Sequence, residues 1–193
     1  MPDVLTHYYK KGSKPFLSLS ALSEDEALEI MERLYVDDAM WGRFKNPLGY
    51  IRERRQTEQW VRDAFIAKGG RPEEEYPIYM VFGSCDSLEE HAESGELNKI
   101  EIPVTYFKEQ EVSYTFVDSM YSLNLEKEKP QEYYQPDYHG KVFTLSEIQV
   151  MIDKKGEPAE GWWGNLPEDF FPYIEAQVWH QKKLFSFFMD IIE

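Results

Sequence analysis

The side chains best placed to do chemistry lie on one helical stretch near the middle of the first hundred residues. Leu48, Ile51, Val61 and Phe65 mark an apolar face at 100° per residue, and Arg55, Glu58 and Arg62 fall inside the same arc. Two guanidinium forks oriented by a carboxylate suit the carboxylate or phosphate of a small anionic ligand. Tyr133, Tyr134 and Tyr138, with His139 beside them, sit in a later irregular segment that can close over such a site. The competing reading makes the middle of the helix solvent-facing. Arg54 with Glu58 and Glu58 with Arg62 are then ordinary i, i+4 pairs, each worth about 0.2–0.5 kcal/mol.

Other chemistries find less support. His7, His91, His139 and His180 are far apart, and no two stand at the i, i+4 spacing that puts two imidazoles on one helix face, so no metal site is expected. Asp137 and His139 share a side only if that stretch is extended. Ser84 follows Gly83 at the end of a predicted strand but lacks the Gly-x-Ser-x-Gly frame, and Cys85 reads as a small core residue. Neither a Gly-x-Gly-x-x-Gly nor a phosphate-cradling loop occurs, so no nucleotide cofactor is expected. An enzyme would have to assemble its acid and base from distant residues, with His139, Glu58 and Tyr114 as candidates.

Charge narrows the partners. With 21 Lys and Arg against 36 Asp and Glu, the formal net charge of -15 repels phosphate backbones and anionic membrane surfaces. Nucleic acid is excluded as an expected partner, and no apolar run is long enough for a membrane span. The same charge serves solubility, or a decoy for basic proteins. Cys85 is the only cysteine, and Met1-Pro2-Asp3-Val4 has neither the basic nor the apolar region of a signal peptide, which together point to the cytoplasm.

The elements that must position these residues follow from periodicity and caps. Leu5 to Leu19 reads as two short extended pieces around a turn. Ser23 with Glu26 forms a capping-box pattern for a helix over Glu24 to Leu34, and Asn46-Pro47 opens a long helix stopped by Gly69-Gly70. Tyr76 to Gly83 is a buried strand, and Asp86 to Asn98 a short helix or surface loop. Ile100 to Lys108 and Val112 to Val117 read as a hairpin. Leu123 to Tyr138 is irregular, Lys141 to Phe143 a short strand, and Thr144 with Glu147 caps a helix ending near Gly156. A Trp-rich turn, Gly161-Trp162-Trp163-Gly164, follows. Phe171 to Ile192 reads as one core helix, with Trp179 and Phe187 outside its apolar arc and available to a second subunit, as in a homodimer.

These elements give an α+β fold, a mainly antiparallel sheet packed against helices, as one domain over 1–193. Leu22-Ser23-Glu24 and Leu145-Ser146-Glu147 share a strand, cap and helix layout, which suggests two ferredoxin-like halves, 1–84 and 99–193. Tyr8, Pro15-Phe16, Arg55-x-x-Glu58-x-Trp60-x-Arg62, Lys68-Gly69-Gly70-x-Pro72, Val117-Asp118-Ser119-Met120 and His139-Gly140-Lys141-Val142-Phe143-Thr144 are carried by most of the chain. In these the sequence resembles a family of bacterial proteins of about this length that has no established activity. The resemblance implies a bacterial, intracellular α+β protein and assigns no catalytic residue. The expected function is therefore non-catalytic binding of a small anionic ligand or a protein partner, with an enzyme and an acidic decoy as alternatives.

Overall fold

A computed structural model describes residues 1–36, 42–157 and 172–192. Its centre is a sheet of β1 (Val4–Lys10), β2 (Ile78–Phe82), β3 (Leu97–Pro103), β4 (Val112–Phe116) and β5 (Ile174–Val178), in the order β3-β1-β2-β5-β4 and antiparallel throughout. Around it stand α1 (Glu24–Leu34), α2 (Pro47–Ala67), α3 (Asp86–Glu93), α4 (Ser119–Glu128), α5 (Leu145–Lys155) and α6 (Gln181–Ile192). The α+β class expected from the sequence is the one observed.

Register divides the sheet into two unlike faces. Ala176 pairs with Tyr114 and Met80, and Leu5 with Phe82 and Ile102, so these side chains share one side with Ile174 and Val178. That side is the main apolar core, closed by Ile148 and Ile152 of α5, by Leu184, Phe187 and Phe188 of α6, and by Phe16. The alternate positions, Tyr79, Ser113, Thr115, Glu175 and Gln177, form a second side that is mostly polar. Here α2 lies, with Val61 and Phe65 against Trp179. Both sides of β4 and β5 are buried along their whole length, so the polar side chains are buried too.

Local chemistry sets the helix boundaries. Both predicted capping boxes form, Ser23 with Glu26 on α1 and Thr144 with Glu147 on α5. Asn46 caps α2 ahead of its proline at N1. At the far end Gly69 turns at φ +90°, and a side chain on Gly70 would meet the Phe65 ring at 2.4 Å.

Five expectations are corrected. β3 and β4 do not form a hairpin: Pro103 ends β3, a 3-10 turn over Val104–Tyr106 redirects the chain, and the two strands occupy opposite edges of the sheet. The C-terminal stretch is β5 followed by α6, because Ile174, Ala176 and Val178 face the core at period two. The segment read as irregular from Leu123 begins inside α4, capped by Asp118. Lys141 to Phe143 contributes only a bridge between Phe143 and Tyr114, and after β1 the chain makes a 3-10 turn over Leu19–Ala21 rather than a second strand. The Gly161 to Gly164 turn lies outside the described residues.

Candidate functional site

The polar side of the sheet carries a continuous hydrogen-bonded chain. Trp179 Nε1 donates to Ser113 Oγ at 2.9 Å, and Ser113 Oγ donates to Gln177 Oε1 at 2.8 Å. Gln177 Nε2 donates to Thr115 Oγ1 and to Glu175 Oε1, each at 2.9 Å. Every member of this chain is buried. Each donor meets an acceptor, as buried polar groups require.

Glu175 ends the chain and meets a second acid. Its Oε1 also accepts from the Ser119 amide at 3.0 Å, and the residue before that amide is Asp118, whose Oδ1 accepts from Tyr121 N at 2.8 Å as the cap of α4. The carboxyls of Asp118 and Glu175 thus come together from the β4–α4 junction and from β5. Val117, between β4 and Asp118, has φ +49° and is fully buried, an uncommon backbone state for a β-branched residue. Strain of this kind is held only where surrounding contacts fix it, here the bridge from Val117 to Ile174.

Burial governs both acids, with the Asp118 charge adding to the rise at Glu175 and the Arg43 and Arg54 charges opposing the rise at Asp118. Burial first and the Asp118 charge second push the Glu175 carboxyl up to about 7, while burial also raises Asp118. Burial, with the charges of Asp118 and Glu175, keeps the Tyr173 hydroxyl protonated far above neutrality, and burial with Glu58 does the same for Tyr79. Two phenols and two neighbouring carboxyls therefore face one another in a poorly solvated layer.

On the helix side of this layer Glu58 is fully buried and pairs through Oε1 with Arg54 Nε at 3.0 Å. Arg54 also donates to Tyr50 Oη at 3.0 Å and lies 4.5 Å over the Tyr79 ring. Glu58 Oε2 has no hydrogen-bond partner, and neither has Ser119 Oγ. The i, i+4 pair expected on the surface is instead the buried one.

A cavity of about 390 Å³ opens at the end of the sheet where β1 begins and β2 ends, lined by Val4, Phe82, Gly83, Glu101, Tyr173 and Ile174. Tyr173 belongs both to this wall and to the surroundings of the acid pair, whose charges act on its hydroxyl.

The residues singled out from the sequence are not brought together. Arg55 donates to the Ser20 carbonyl at 3.2 Å and to the Leu22 carbonyl at 2.6 Å, and Arg62 to the Glu74 carbonyl at 3.4 Å. Glu58 orients Arg54, not these two. On the far side of α4, the Tyr133 amide donates to Pro130 O, and the Tyr134 hydroxyl donates to Glu126. Tyr138 is buried edge-on to Phe116 at 4.5 Å. His139 is buried beside it, with Nδ1 accepting from Gln135 N at 2.9 Å and Nε2 unpartnered. Among the described residues no group of three His, Cys, Asp or Glu side chains is placed to hold a metal ion.

Sequence reasoning missed Arg54, Tyr79, Asp118, Tyr173 and Glu175 as site residues. A period-two signal for the pair's strand was present in Ile174-Glu175-Ala176-Gln177-Val178, but the helical spacing of Ile174, Val178 and Phe185 masked it. No family model matches the chain, and neither a curated protein nor a solved structure matches it significantly.

Proposed function

We propose that this protein is an enzyme acting on a small molecule by proton transfer, with Asp118 and Glu175 as its acid–base pair and the strand-end cavity as the substrate's point of entry. The observation that carries this reading is the meeting of two carboxyls from separate elements, Glu175 buried and Asp118 half-buried, beside a cavity wall to which Tyr173 belongs. Two carboxyls held close in a dry site do not both ionise readily, so one can give a proton while the other accepts one. Tyr173 and Tyr79 supply neutral hydroxyl donors for charge that develops on a substrate. Support for an anion site at Arg55 and Arg62 is weaker, because both guanidiniums are spent on backbone carbonyls. The decoy reading rests on net charge alone. A single cysteine fits a reduced setting for such an enzyme.

The test compares the wild-type chain with Glu175→Gln in a small-molecule extract of cells, followed by mass spectrometry. Wild type is expected to deplete at least one compound and form its product, and the variant to leave both unchanged. Identical extracts after both incubations would overturn the proposal.

A homodimer through α6 is a separate proposal; Trp179 is fully buried and Phe187 packs on the core, so it is favoured instead by Phe185, Met189 and Ile191, whose side chains are 40%, 52% and 54% exposed on that helix. A monomer mass by gel filtration across micromolar concentrations would exclude it.

A further inference from the structure

The two outer strands of the sheet end differently. On β4 the backbone of Tyr114 exchanges both its hydrogen bonds with Phe143, at 2.9 and 2.8 Å, so that edge is closed at its middle. β3 has β1 on one side and, among the described residues, no strand on the other. At one end of the β1–β3 ladder Lys11 N donates to Glu96 O at 3.0 Å, and at the other Val104 N donates to Asp3 O at 2.8 Å. Backbone direction alternates along antiparallel strands, so Asn98, Ile100 and Ile102 turn to β1, and Leu97, Lys99, Glu101 and Pro103 turn outward. Among the described residues these outward groups have no backbone partner.

Edges of this kind are usually blunted by charge or proline. Pro103 stands at the very end of β3, and the two exposed charges on the strand are opposite in sign: Lys99 and Glu101, side by side on one face with 3.2 Å between Nζ and Oε1. Glu89 of α3 also holds Lys99 Nζ, at 2.9 Å, so the lysine is already restricted before anything pairs with it. α3 itself, on this side of the sheet, has no fully buried residue.

This order of charges is self-complementary. Two identical strands that pair antiparallel are related by a two-fold axis, and outward residues face outward residues. With the axis at Ile100, Lys99 lies opposite Glu101 of the second copy and Glu101 opposite its Lys99, each pair exchanging both backbone hydrogen bonds. The Leu97 amide then meets the Pro103 carbonyl. Sliding the copies one step either way sets Lys99 against Lys99, or Glu101 against Glu101, and like charges directly opposite are destabilising. On a chain whose formal net charge of -15 already repels a second copy, that difference selects one register. A foreign strand rich in either charge would meet its like at Lys99 or at Glu101.

We propose that β3 is the docking edge for a second copy of this chain, which continues the sheet antiparallel across a two-fold axis at Ile100. The axis is perpendicular to the sheet and brings a second α3 to the same side. The contact is separate from α6, which packs on the opposite, apolar side.

Amide hydrogen exchange of the full chain, read residue by residue by NMR over a range of protein concentrations and set beside the mass from native mass spectrometry, tests the proposal. The amides of Leu97, Lys99 and Glu101 are expected to exchange freely when dilute and at least about tenfold more slowly once a dimer mass appears, with Ile100 and Ile102 protected throughout by β1. Glu101→Pro removes an outward N–H without touching the β1 ladder, and should abolish this protection at unchanged circular dichroism. Lys99→Glu and Glu101→Lys should each weaken the dimer about tenfold, because symmetry alters both pairs at once. Mixing these two variants should restore it as a mixed dimer favoured over either parent. A monomer mass at every concentration, a dimer whose three outward amides still exchange freely, or no preference for the mixed dimer would each overturn the proposal.

Discussion

Glu175 and His7 are both buried, and burial acts on them in opposite directions because one gains its charge by losing a proton and the other by binding one. His7 Nε2 accepts from the Phe16 amide at 3.0 Å, so the ring's proton sits on Nδ1, which faces the Tyr79 carbonyl at 3.0 Å. Protonating Nε2 would set two donors against each other, and burial holds the ring down to about 4 from its ordinary 6.5. Stability tied to the neutral ring is therefore complete above pH 6.5 and is lost as the pH falls toward 4, by about 3 kcal/mol. Burial lowers His139 to about 4 as well, which adds loss in the same window. Urea denaturation at pH 7 and pH 4.5 checks this, and His7→Gln should flatten part of the slope. Glu175 works the other way: with its carboxyl raised to about 7, its contribution is complete below pH 4.5 and is lost as the pH rises through 7. Glu175→Gln keeps an oxygen for Ser119 N and Gln177 Nε2 and avoids that ionisation. It is expected to be more stable than wild type by about 1–3 kcal/mol at pH 8, with no advantage at pH 4.5. A loss of stability at both pH values would mark Glu175 as a purely structural acceptor; a gain confined to high pH is the signature of a group retained at the expense of stability.

At the scale of elements, caps and stops were legible in the sequence and partners were not. The bounds of α1 follow from Ser23 and Glu26 because a capping box is a local hydrogen-bonding device that needs nothing beyond four residues. The pairing of β4 with β5 is set by contacts across more than fifty residues, and the chain between them gives no local sign of it. The candidate site inherits this difference. Spacing on α2 placed Glu58 on a buried arc but could not decide whether Arg54, Arg55 or Arg62 turns toward it, since all three lie within one turn of it. Asp118 and Glu175 meet only because strand register brings them there. The stop of α2 is specific enough to test. Gly70→Ala would drive a methyl group into the Phe65 ring, which is fully buried against Trp179, and overpacking of this kind costs about 1–3 kcal/mol. Arg55→Ala should cost about as much, by releasing the Ser20 and Leu22 carbonyls from α2. Chemical denaturation of the two variants measures both.

For the whole molecule, the order β3-β1-β2-β5-β4 sets β1 and β2, from the first part of the chain, between strands from the second. β5 serves both sides of the sheet, with Ile174, Ala176 and Val178 in the apolar core on one side and Glu175 and Gln177 in the polar chain on the other, which leads to Trp179 just beyond the strand. Removing residues 99–193 would strip β2 of its neighbour β5 and of the apolar cover from α5 and α6, and leave an entire edge of β1 unpaired, so the main core of the sheet cannot close within residues 1–84. Unfolding is therefore expected to be one cooperative event. Tryptophan fluorescence, which includes Trp179 on the polar side, and far-UV circular dichroism, which averages over the helices, should give coincident urea transitions with one midpoint. Separate midpoints would mean that 1–84 and 99–193 fold as distinct units despite the shared sheet. An expressed fragment of 1–84 should then show its own cooperative transition, whereas the interleaved sheet leads us to expect none.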